Sequence, residues 1–65
     1  MMALRLTTVE ATALLLTVLV QQRRRLSTGM AADMIGRSRS STYRILCQAS
    51  RQAPITLSRG WWRRL

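Results

Sequence analysis

At 65 residues the chain is one small domain, too short to bury a large core or to enclose an enzyme-sized pocket. Eleven arginines and no lysine stand against Glu10 and Asp33 alone, and the resulting net charge of +9 at pH 7 points to a polyanion, either nucleic acid or an acidic membrane surface. Cys47 is the only cysteine and histidine is absent, which excludes an internal disulfide, argues against a zinc site and leaves no nucleophile and base constellation for an enzyme.

Residues 1–6 form an N-terminal extension without a strong local signal. Thr7 with Glu10 three residues on makes a capping box, so a first helix is expected over residues 7–25. Within it Val9, Ala13, Leu16 and Val20 lie on one face, while Leu14, Leu15, Val18 and Leu19 widen the stripe until it nearly encircles the helix. So much apolar surface exceeds what a short chain can cover, and Leu15 and Leu19 are the candidates for a second surface, a homodimer interface. The apolar run 11–20 is too short to span a bilayer and no small-x-small cleavage pattern follows it; these grounds weigh against a membrane role, and a cytoplasmic location is expected. Arg23 to Arg25 are expected to close the helix, where positive charge complements its dipole.

Ser27 or Thr28 caps a second helix to about Ile35, with Met30, Ala31, Met34 and Ile35 facing inward. Gly36 ends it through a left-handed turn, and Ser38 caps a third helix to about Gln48 or Ala49 that buries Thr42, Ile45, Leu46 and Ala49. Pro54 then starts an extended stretch, Ser58 to Gly60 supply a turn, and Trp61 to Leu65 return as a second strand. Alternation allows at most one of Trp61 and Trp62 to anchor the core. The fold class is therefore mainly α, a three-helix helix-turn-helix core (28–49 carrying the motif) with a C-terminal β-hairpin wing over 54–65.

In the run AADMIGRSRSSTYRIL, Ala32 permits close helix approach, Gly36 makes the turn and Ile45 clamps the third helix onto the second. The order of elements and this run resemble the winged helix-turn-helix domains of bacterial and phage transcription regulators, in the style of the N-terminal domains of the IclR family. The resemblance spans roughly Thr7 to Leu65. It implies that Ser38, Arg39, Ser40, Tyr43 and Arg44 face the major groove. Arg37 stands where the pattern prefers an apolar residue, and Thr42 where it prefers Val or Ile; Arg37 is thereby a candidate phosphate contact. Arg59 at the hairpin tip is the expected wing contact, with Arg63 and Arg64 behind it.

These residues lead to the expectation of a sequence-specific double-stranded DNA-binding regulator of repressor type, acting as a homodimer with its third helix in the major groove. No cofactor, metal or small-molecule effector is expected, since the ligand-sensing domain of the resembled family is missing. Two alternatives share the fold: an architectural or excision-type DNA-binding factor, and an inhibitor that captures a host protein through exposed leucines and tryptophans.

Overall fold

The computed structural model describes residues 6–65; of the N-terminal extension only Leu6 falls inside them. Helix α1 spans Thr8–Leu16 and continues as a π-helical turn, Thr17–Gln21; α2 spans Thr28–Ile35, α3 Arg39–Ala49, β1 Ile55–Ser58 and β2 Trp61–Arg64. Three helices followed by an antiparallel hairpin give the helix-turn-helix core and wing expected from the sequence. No helix among the described residues is long and apolar enough to cross a membrane.

The capping box forms in full: the Thr7 amide donates to Glu10 Oε1 at 2.9 Å, and the Glu10 amide donates to Thr7 Oγ1 at 3.2 Å. The face that α1 buries, however, is the opposite of the first stripe. Ala11, Leu15, Val18 and Leu19 are buried, whereas in the first stripe Val9 is 78% exposed and Ala13 is exposed, with Leu16 and Val20 half-buried at the edge of the core. These two stripes differ by two residues, about half a turn, and a helix apolar on both sides carries no periodic signal to choose between them. Leu15 and Leu19 therefore belong to the core of the monomer, and their assignment to a dimer interface is corrected: at 1% and 0% exposure neither can meet a partner.

Helix 1 also ends sooner than residue 25. Thr17 Oγ1 donates to the Ala13 carbonyl at 2.8 Å, a back-bond that competes with the helical ladder where α geometry gives way to the π turn. The Gln22 amide then reaches Thr17 O, the Arg24 amide reaches Val18 O, and Arg23 takes the left-handed conformation, φ 54°. Arg23 to Arg25 thus follow the helix and lead into an extended segment. Leu26 in that segment exchanges two hydrogen bonds with Trp62, of 2.9 and 2.7 Å, which adds a short third rung to the wing.

Ser27 caps α2 through the Met30 amide at 3.0 Å and Ser38 caps α3 through the Ser41 amide at 3.2 Å. Gly36 sits between them with φ 68° and ψ 36°, a left-handed conformation open to glycine without steric cost. Ala31, Ala32 and Ile35 face inward; Met30 and Met34, expected inside, are 46% and 40% exposed. Adjacent alanines let α2 approach α3 so closely that its inward arc is narrow, and the longer methionines lie outside it. From α3, Thr42, Ile45 and Leu46 are buried.

In the wing, Ser58 pairs with Trp61, so Arg59 and Gly60 form a two-residue turn, and both have positive φ, 52° and 81°. This is the primed geometry whose twist suits an antiparallel hairpin. Trp62 is 2% exposed and Trp61 half-buried, so one tryptophan anchors the core and its neighbour lies on the outer face. The Leu65 amide extends the ladder to the Pro54 carbonyl at 2.8 Å.

Candidate nucleic-acid interface

Trp62 fixes the wing against the helix-turn-helix unit. Its indole N–H donates to Thr28 Oγ1 at 3.0 Å, and its ring meets Tyr43 edge to face, with centroids 5.8 Å apart and planes at 65°. Such a pair contributes about 0.5 to 1.5 kcal/mol beyond burial. Tyr43 is thereby held against the wing, although it stays 46% exposed. Its hydroxyl is raised above the ordinary value of 10.0, first by hydrogen bonding to Cys47 and then by the charge that Cys47 can carry.

Around Tyr43 lies an open hollow of about 480 Å³ lined by Thr28, Arg39, Ser40, Tyr43 and Arg44. Thr28 and Arg39 are the first residues of α2 and α3, so two helix N-termini, each with unpaired amides and a partial positive charge, converge on it. Neither Glu10 nor Asp33 lines the hollow. Arg39, Ser40, Tyr43 and Arg44 are exposed and occupy one side of α3, while Thr42, Ile45 and Leu46 turn the other side inward. Ser38 is also exposed; its oxygen accepts from the cap amide, which leaves its hydroxyl hydrogen available to an outside acceptor.

A glycine at the second position of α2 positions Arg39. A Cβ built on Gly29 would lie 3.2, 3.3 and 3.4 Å from Nη2, Nε and Cζ of Arg39, so the guanidinium lies across the bare backbone of Gly29. Neither Gly29 nor Thr28 was legible as part of this site from sequence. The contact joins residues of two helices, and no local spacing encodes it.

Two expected contacts separate from this group. Arg37 is half-buried, and its Nη2 donates to the Leu6 carbonyl at 3.0 Å, tying the turn to the chain before α1. Arg37 does not line the α3 hollow, and one of its N–H groups is committed to a backbone acceptor 31 residues back along the chain. Arg59 is exposed at the tip of the wing, away from the hollow, in a left-handed conformation that costs a residue with a Cβ about 1 kcal/mol or more.

A second basic group stands at the open end of the hairpin, where Arg23, Arg25, Arg63 and Arg64 line a hollow of about 450 Å³ with Leu65. Arg25 stacks on Trp61, its Cζ 4.4 Å from the ring centroid, and Arg64 Nη1 leans on the Val20 carbonyl at 3.4 Å.

Comparison of the chain with protein-family models, with curated proteins and with solved structures gave no match.

Proposed function

We propose that the protein is a sequence-specific double-stranded DNA-binding regulator that lays α3 in the major groove. The observation that carries the reading is the hollow between the first turns of α2 and α3. It combines two helix N-termini, two exposed arginines, the Tyr43 phenol and the hydroxyls of Thr28 and Ser40, with no carboxylate. Helix N-termini and hydroxyls suit phosphates, which fix register, while Arg39 and Arg44 are long enough to reach guanine edges. One bidentate arginine to guanine contact is worth about 1 to 3 kcal/mol of discrimination. Tyr43, braced by Trp62, offers a ring edge for a thymine methyl or a sugar. Arg59 brings a cation to the neighbouring groove or backbone from the wing tip.

A module this small covers only about 600 to 1,000 Å² of DNA, so pairing of two copies on a two-fold site remains part of the proposal. The available surface is the outward side of α1, where Val9, Ala13 and Leu14 are exposed. Leu15 and Leu19, both inside the core, offer no surface for capture of a host protein.

Fluorescence anisotropy on duplexes of differing sequence tests the reading. Arg39→Ala and Arg44→Ala should each narrow the gap between preferred and unrelated duplexes by about 5- to 150-fold. Equal binding of wild type to every duplex would overturn sequence-specific recognition, and a DNA-saturated protein that stays monomeric would remove the dimer.

A further inference from the structure

We propose that the basic hollow at the open end of the hairpin is a second nucleic-acid site, one that grips the phosphates of another duplex segment while α3 occupies the first. The inference rests on the groove reading above and adds a separate surface to it. Arg63 and Arg64 pair with Thr56 and Ile55, at the end of the ladder opposite the Arg59–Gly60 turn. Leu26 pairs with Trp62, so the chain enters this rung from Arg23 and Arg25 on the open side and leaves it toward Thr28 and the α3 hollow. The two basic hollows share no lining residue.

Three observations make the second hollow a site rather than a solvated charge run. First, four guanidinium groups gather here and neither Glu10 nor Asp33 lines the hollow, an excess of positive charge that an incoming polyanion relieves. Second, Arg25 sits over the Trp61 ring with its Cζ 4.4 Å from the centroid, and a cation held against a ring face makes no hydrogen bond there and keeps its N–H groups for a phosphate. Among the described residues the arginine side chains that donate hydrogen bonds are Arg37 and Arg64, so Arg23, Arg25 and Arg63 retain their donors. Third, Arg23 occupies the left-handed position after the helix, where glycine is the ordinary choice. The chain thus keeps a guanidinium here against backbone preference. Every non-glycine residue with positive φ among those described is an arginine, Arg23 in this hollow and Arg59 at the wing tip. Contact through phosphates alone carries no base readout, so the second segment can be of any sequence.

The test uses a duplex tethered to a surface and loaded with the full chain, followed by a labelled duplex of unrelated sequence. Wild type should capture the second duplex, and four phosphate contacts make that capture fall on the order of 100-fold as salt rises about four-fold. The variant R23G/R63Q should fold at least as well as wild type, because glycine suits the backbone of residue 23 and Arg63 is exposed. It should load the tethered duplex as wild type does and fail to capture the second, while R63K keeps capture. Capture by R23G/R63Q equal to wild type would overturn the proposal, since bridging would then come from paired α3 helices. An equal loss of loading and capture would overturn it as well, placing these arginines on the first duplex. So would a wild type that ignores the second duplex but sediments with phosphatidylserine vesicles through the same arginines. A wild type that never loads the tethered duplex would remove the groove reading itself, an outcome visible before the second duplex is added.

Discussion

Gly29→Ala separates stability from recognition. The new methyl would stand 3.2 to 3.4 Å from three atoms of the Arg39 guanidinium, closer than ordinary contact, so the exposed end of Arg39 must give way by a few tenths of an ångström. The helix itself gains, because alanine in place of glycine stabilises helical backbone by about 0.5 to 1 kcal/mol. In a domain of this size that raises the melting temperature by about 2 to 8 °C. Recognition moves the other way. Losing about a third to a half of a bidentate contact worth about 1 to 3 kcal/mol weakens specific binding roughly 2- to 10-fold. Circular dichroism melts and anisotropy titrations on the same preparations read both effects. In an Arg39→Ala background the stability gain should persist and the affinity loss should vanish, since the displaced group is gone. A Gly29→Ala protein that binds as tightly as wild type, or that loses equal affinity with and without Arg39, would refute the positioning of Arg39 by Gly29.

Other consequences are as direct. Thr42 is fully buried and its hydroxyl has no hydrogen-bond partner, a group that costs about 1 to 3 kcal/mol. Thr42→Val should therefore raise the melting temperature by about 4 °C or more, and Thr42→Ser, which keeps the hydroxyl and loses the methyl, should lower it. At the wing tip, Arg59→Asn relieves the positive φ and should stabilise the hairpin by up to about 1 kcal/mol. The same change should reduce the salt slope of DNA binding by about 1, read from titrations at several ionic strengths. Glu10 is held below its usual 4.5 by the Thr7 amide first and the Thr7 hydroxyl second. Because the folded value is depressed, this contribution is present above pH 4.5 and is lost as pH falls through the folded value. Melting curves against pH should accordingly drop less steeply on acidification for Glu10→Ala than for wild type.

Much of the fold was legible where a local signal has a local cause. The capping box at Thr7, the serine caps at Ser27 and Ser38, the left-handed Gly36 and the turn at Ser58 to Gly60 are each fixed by a few consecutive residues, and each forms. The single buried tryptophan follows from strand alternation. The inward face of α1 was not legible, because a stripe that encircles a helix leaves the choice to tertiary packing, and packing chose Ala11, Leu15, Val18 and Leu19. Arg23 to Arg25 read as a helix end on charge alone. Their true path is set by Leu26, which leaves the helix to pair with a residue 36 positions on, Trp62. Within the candidate interface, Arg39, Ser40, Tyr43 and Arg44 came together as their spacing on α3 implied. Arg37 lies outside the hollow and donates to the Leu6 carbonyl, a contact that no spacing encodes.

Selection from a pool of randomised duplexes tests the central claim most directly. Wild type should enrich one defined site containing guanines within reach of Arg39 and Arg44, and the Arg39→Ala, Arg44→Ala double variant should retain salt-dependent binding without enriching it. A wild type that enriches no sequence, or a double variant that enriches the same one, would contradict recognition by α3.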